Sequence, residues 1–136
     1  MKVVLANGVF DVFHVGHLHY LKEAKTQGEY LVVSVTEDAH VNKGPGRPVF
    51  NQQQRAALIA ELRCVDEVIF VPSGEEAVRK VRPDVYCKGS EYRNNLPEAA
   101  FVESYGGRCH FTTGPVYSST KLLASGYFKL PSAVGG

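Results

Sequence analysis

The stretch Asn7-Gly-Val-Phe-Asp-Val-Phe-His-Val-Gly-His17 gathers the residue types best able to do chemistry in this chain. His14 and His17 flank Gly16 where an apolar run gives way to a helical pattern. A helix start offers free backbone N–H groups to phosphate oxygens, and two imidazoles beside it add donors, charged or neutral. Gly8 lets the chain turn sharply, and Gly16 lets a ligand or a helix backbone approach closely. Together they predict a phosphate site without a P-loop lysine. Capping or packing is the plain alternative for either ring. A zinc site built on His14 and His17 with Asp11 or His19 lacks a third ligand at metal spacing. His19 reads as a surface residue, and His40 and His110 as structural or exposed.

Four further segments carry candidates. Lys43 sits in the Gly/Pro-rich run Lys43-Gly-Pro-Gly-Arg-Pro48, which reads either as a surface loop or as a flexible lid able to close a lysine over an anion. Lys88-Gly-Ser-Glu-Tyr92 follows an apolar run and would face the same crevice, Gly89 serving either close approach or an ordinary turn. Ser118, Ser119 and Thr120 open a short helical pattern, as a simple N-cap or as donors of hydroxyls and amides to phosphate. Arg55, near the start of another helical pattern, reads on its own as a solvated side chain with a packed stem.

These residues need a scaffold, and the apolar pattern supplies one by switching period in alternation. Strands are expected from Val3, over Tyr30–Val35, Glu67–Val71, Asp84–Lys88 and Arg108–Thr112. Helices are expected over about 16–27, from the Asn51 cap to about Leu62, over 74–81 until Pro83 forbids continuation, over 96–105 and over 118–125. Such alternation predicts an α/β, Rossmann-like five-stranded parallel sheet with helices on both faces. In such a sheet, ligands bind beyond the carboxyl ends of the strands, where the histidine loop would lie. One domain over residues 1–125 is expected, with 126–136 as a tail or a linker into a further module.

Composition closes off other classes. The 136 residues are 44% hydrophobic and 21% charged, with a formal net charge of +1. Length and charge fit one soluble globular domain, and argue for neither nucleic acid nor membrane as partner. No run approaches the ~20 apolar residues of a membrane span. Cys64, Cys87 and Cys109 are odd in number and form no CxxC pair, so a reduced, cytoplasmic protein is expected. No Gly-x-Ser-x-Gly turn suggests a serine hydrolase.

Gly8-Val-Phe-Asp11 with His14-Val-Gly-His17 resembles the HxGH signature of the cytidylyltransferase-like nucleotidyltransferases. Other pieces match in order: Arg47-Pro-Val49 with Gln54-Arg55, Val65-Asp-Glu-Val68, Pro83-Asp-Val85 through Lys88-Gly-Ser-Glu-Tyr92, and Ser118-Ser-Thr120. The resemblance runs from about residue 2 to residue 124. It is closest to the subgroup formed by the nucleotidyltransferase part of ADP-heptose synthases, then to the glycerol-3-phosphate cytidylyltransferases.

The resemblance implies attack by an acceptor's phosphate oxygen on the α-phosphorus of ATP or CTP, with loss of pyrophosphate. A sugar phosphate is the first acceptor implied; glycerol phosphate or a phosphonate is the alternative. His14, His17 and Lys43 would be the catalytic residues. Gly8, Val9, Phe10, Asp11, Gly16, Lys88, Gly89, Glu91, Tyr92, Ser118, Ser119 and Thr120 would bind nucleotide, Asp11 chiefly by ordering its loop. Arg55 would clamp the acceptor's phosphate, and Mg²⁺ would be held mainly through the triphosphate. A homodimer, and a place as one module of a bifunctional enzyme, are also implied. The segment Phe111-Thr-Thr-Gly-Pro-Val-Tyr-Ser-Ser-Thr120 lacks the arginine that the glycerol-phosphate type carries there, which tilts the expectation from CTP to ATP. Class I aminoacyl-tRNA synthetases share an HxGH-type loop but need regions this chain lacks. A nucleotide-binding module without chemistry is the rival from another class.

Overall fold

In the computed structural model, which describes residues 1–114, the β-branched runs pair as five parallel strands. They are β1 (Val3–Gly8), β2 (Tyr30–Thr36), β3 (Glu67–Val71), β4 (Val85–Lys88) and β5 (Arg108–Phe111), in the order β3-β2-β1-β4-β5. The connecting helices are α1 (Val15–Lys25), α2 (Gln52–Ala60), α3 (Gly74–Val81) and α4 (Ala99–Ser104). The expected helix over 118–125 and the tail over 126–136 lie outside the described residues.

β1 is central, and its Val4, Leu5 and Ala6 are fully buried because both faces of the sheet are covered. Val4, Ala6, Val33, Val35, Val85 and Cys87 pack on one face against Leu21 and Ala24 of α1 and Ile59 of α2. Leu5, Val32, Val71 and Tyr86 pack on the other against Ala77 and Val78 of α3 and Val102 of α4. Fully burying such an aliphatic side chain contributes about 2 kcal/mol, so these two layers supply most of the drive to fold.

Local chemistry sets where the helices start. Asn51 Oδ1 accepts from the Gln54 backbone N–H at 2.8 Å, while Gln54 Oε1 accepts from the Asn51 N–H at 3.1 Å. This reciprocal box satisfies two donors that would otherwise be orphaned. Ser73 Oγ accepts from Glu76 N–H at 3.2 Å and starts α3; Arg82, left-handed at φ 48°, ends it before Pro83. α1 ends ahead of Gly28, where a Cβ would lie 2.7 Å from the Lys2 carbonyl oxygen. Only glycine lets that turn press on the start of β1.

The fourth helix is shorter than its apolar pattern suggests. Leu96 is held in a turn that the Ala99 N–H closes by donating to its carbonyl, so α4 begins at Ala99 rather than at Leu96. The polar loop after β4 contains a 3₁₀ turn over Ser90–Tyr92, and another covers Asp38–His40. Among the described residues, no helix is long and apolar enough to cross a membrane.

Candidate functional site

The sheet order places a topological switch between β1 and β4. The chain leaves β1 over one face to β2 and β3, then returns over the other face to β4 and β5. At such a point the carboxyl ends diverge and leave a crevice. A cavity of about 240 Å³ opens there. Asn7, Gly8, Val9 and Phe10 line it from the end of β1, and His14, Gly16 and His17 from the start of α1. Lys43 lies at its rim, and Lys88, Gly89, Glu91 and Tyr92 form the wall beyond β4.

Phe10 shapes the first loop. It takes a left-handed φ of 56° and buries its ring, which meets Phe13 at 6.5 Å and lies edge-on to His17 at 5.3 Å. A Cβ on Gly8 would lie 2.9 Å from that ring, so Gly8 serves close packing under the loop rather than a positive-φ turn.

The two imidazoles cap their own helix. His14 Nδ1 accepts from Gly16 N–H at 3.0 Å, and His17 Nδ1 accepts from His14 N–H at 3.1 Å. A ring nitrogen that accepts carries no proton, so each neutral ring keeps its proton on Nε2. The rings stack with centroids 3.9 Å apart and planes 27° from parallel. Burial, reinforced by His14 and Lys43, pulls the His17 pKa down to about 3. Burial and Lys43 lower His14 too. At neutral pH the pair is therefore a stack of uncharged N–H donors. Capping and phosphate binding are compatible here, because capping uses Nδ1 and leaves the proton on Nε2.

Asp11 does not line the cavity. Its buried carboxylate accepts from Val49 N–H at 2.7 Å, Phe50 N–H at 2.9 Å and Arg47 Nε at 2.9 Å. Burial alone would raise its pKa, but these donors and the Arg47 charge together hold it below the ordinary value. Capturing residues 47–50 also anchors the loop that brings Lys43 to the rim. Asp11 thus orders two loops at once.

Arg55 is a correction. Expected to clamp an acceptor phosphate, it is instead 3% exposed and does not line the cavity. Its guanidinium donates to the carbonyls of Phe50, Val9 and Thr36 at 2.8–2.9 Å and to Asp38 Oδ1 at 2.6 Å. A charge so committed cannot reach out for a ligand; it ties α2 to the ends of β1 and β2.

Beyond β4, Lys88 is 7% exposed, with Nζ 4.2 Å from the Tyr92 ring centroid. Burial lowers its pKa, with Glu98 and Glu91 opposing. Among the described residues, no carboxylate lies within ion-pair distance of Nζ, so Glu98 and Glu91 act on this buried amine only at longer range. Neighbouring Cys87 is no nucleophile, since burial pushes its thiol up to about 12. Ser118, Ser119 and Thr120 lie outside the described residues.

Six lining residues lie outside the set expected from the sequence: Asn7, His19, Tyr20, Glu23, Thr112 and Gly114. His19 is exposed as expected, yet reaches the rim. Tyr20 and Glu23 follow His17 at successive three-residue steps, the spacing that puts side chains on one helix face. Extending the histidine face along α1 was the available signal. Glu23 in turn meets His110 Nε2 at 2.6 Å, which gives that histidine its structural role.

The comparisons agree with this geometry. A family model described as cytidylyltransferase-like matches residues 5–114. The chain is 44% identical over 111 residues to the Bifunctional protein HldE of Pseudomonas putida (strain GB-1), which covers 78% of this chain and 24% of that protein. The Bifunctional protein HldE of Pseudomonas fluorescens (strain Pf0-1) is 43% identical over 111 residues, covering 78% and 23%. The chain thus spans about a quarter of the length of these relatives. A crystal structure of the lipopolysaccharide core biosynthesis protein from Thermoplasma volcanium GSS1 superposes with a TM-score of 0.69 at 33% identity, covering 87% of this chain and 99% of that one. The pantoate-beta-alanine ligase of Francisella tularensis shares the fold alone, with a TM-score of 0.61 at 14% identity over 82% of this chain and 59% of that one. The parallel sheet, its crevice at the switch point and the match along nearly all of the described residues lead to one conclusion: the chain belongs to the cytidylyltransferase-like family of nucleotidyltransferases.

Proposed function

We propose that this chain joins the nucleoside monophosphate of ATP, or of CTP, to a phosphorylated small molecule, a sugar phosphate first among them, with release of pyrophosphate. The observation that carries the reading is the stacked, uncharged His14–His17 pair sharing one cavity with the ammonium groups of Lys43 and Lys88. An oxygen of the acceptor's phosphate attacks the α-phosphorus. The bond from that phosphorus to the bridging oxygen breaks, and its electron pair leaves on pyrophosphate. No enzyme nucleophile is needed, so the protein's task is positioning and neutralising charge.

His14 and His17 suit that task as donors to triphosphate oxygens, and an uncharged ring binds without giving up its proton. Lys43, on a loop held by Asp11, would cover the phosphates from the rim. Lys88 would meet phosphate from the opposite wall, with Gly89, Glu91 and Tyr92 nearer the ribose and base. Ser118, Ser119 and Thr120 complete the nucleotide contacts of the proposal. Among the described residues, no group of three or more His, Cys, Asp or Glu side chains could hold a metal ion. This donor set suits an ion carried by the triphosphate itself, and Mg²⁺ held there supplies neutralisation of the phosphate charge. The length of the relatives, and the word bifunctional in their name, support reading the chain as one module of a larger enzyme. A cytoplasmic homodimer completes the proposal.

The test is pyrophosphate release from ATP and from CTP, each with sugar 1-phosphates, glycerol 3-phosphate and a phosphonate as acceptor. ATP with a sugar phosphate is expected to turn over. His17→Ala should lower turnover far more than it lowers nucleotide affinity. Nucleotide binding without pyrophosphate from any pair would instead make the chain a binding module.

A further inference from the structure

Tyr20 stands on α1 one turn beyond His17 and reaches across the crevice between β1 and β4. Its hydroxyl donates to the Cys87 carbonyl and lies 3.5 Å from the Asn7 carbonyl. Those two oxygens belong to the carboxyl ends of β4 and β1. The β1–β4 pairing stops at Ala6 and Cys87, whereas β1 stays paired with β2 to Gly8, and β4 with β5 to Lys88. The two central strands therefore part where the phenol sits, and a side chain spans the gap.

The same ring belongs to the histidine cluster. It stacks on Phe10 with centroids 6.4 Å apart and planes 24° from parallel, and Phe10 in turn lies edge-on to His17. Cys87 precedes Lys88, so its carbonyl oxygen is part of the peptide that carries the Lys88 nitrogen. One residue thus touches the platform under the imidazoles and the backbone bearing the buried lysine.

We propose that Tyr20 is a positioning residue, its hydroxyl fixing the separation between the His14–His17 pair and Lys88 across the parted strands. The inference rests on the nucleotidyl-transfer reading for its functional consequence, though not for its geometry. Burial keeps the phenol protonated, its pKa held well above the ordinary tyrosine value, so the donor persists over the working pH range. A phosphoryl group held between two walls reacts only while both are in register, and a misplacement of about 1 Å costs up to ~100-fold.

The experiment compares the full chain with Tyr20→Phe, which removes the hydroxyl and keeps the ring. Melting temperature, kcat and KM for pyrophosphate release, and the carbon–proton NMR signals of the His17 ring in the presence of ATP are measured on both. We expect kcat to fall about tenfold with KM for the nucleotide within about twofold. The His17 ring signal should shift, and the melting temperature should stay within a few degrees. Unchanged kcat and a coincident His17 signal would overturn the proposal. So would a uniform loss that merely follows the fraction of unfolded protein. Should the wild-type chain release no pyrophosphate with any acceptor, nucleotidyl transfer fails by itself. The His17 signal then decides alone: a shift on removing the hydroxyl supports the positioning role, and coincident spectra overturn it.

Discussion

His17 should make the fold sensitive to mild acid in a way that can be measured against a designed control. Its pKa falls from the ordinary 6.5 to about 3 on folding, through burial first and then its neighbours His14 and Lys43. Above pH 6.5 the ring is neutral in folded and unfolded chains alike, and its ionisation costs no stability. As the pH drops below 6.5 the unfolded chain takes up a proton that the folded site refuses until about pH 3. Stability is lost across that window and the loss levels off below it. Each unit is worth about 1.4 kcal/mol, so the loss at pH 5 is about 2 kcal/mol. His14, also lowered, adds in the same direction. The control is His17→Gln, since Gln54 fills the matching third position of α2 and accepts from its cap residue just as His17 does in α1. Urea unfolding at pH 7.5 and pH 5 should show wild type losing about 2 kcal/mol more than the variant. Equal losses, or a His17 ring that titrates near 6.5 by NMR in the folded protein, would refute the reasoning.

Arg55→Ala leaves buried carbonyls of Phe50, Val9 and Thr36 without their donor, so urea unfolding should show a loss of about 3 kcal/mol. At temperatures where the variant is folded, its KM for the acceptor should match wild type; a large rise in KM alone would restore a direct role in binding. Asp11→Ala removes the acceptor for Val49 and Phe50 and for Arg47, and should cost about 3 kcal/mol by the same measurement. Asn51→Ala loses one cap and should cost only about 1 kcal/mol, with pyrophosphate release unaffected.

Periodicity carried most of the architecture. The strand over Glu67–Val71 is bounded as its sequence predicts, because Pro72 stops it and a β-branched run fills it. The Asn51 cap was legible because capping depends on residues three apart. Arg55 was not. Whether an arginine near a helix start faces water or the interior depends on carbonyls from other segments, which no local pattern encodes. The start of α4 departs from its apolar pattern for a related reason, since Leu96 is apolar to fill the second core while its backbone is still in a turn. Within the site, the motif loop identified the histidines but not their tautomer, which follows from hydrogen bonds that only the folded cap reveals. The burial of Lys88 likewise arises from the meeting of β4 with residues beyond it.

The central place of β1 has a consequence for how the chain comes off the ribosome. Its first strand is flanked by β2 early in synthesis, but its other edge waits for β4, whose Tyr86 and Cys87 pair with Leu5 and Ala6. Until then a growing polypeptide presents the bare edge of its central strand, a ready template for pairing with another chain. Fragments ending before Val85 should therefore aggregate during production, whereas those reaching beyond Phe111 can seal the sheet against such encounters.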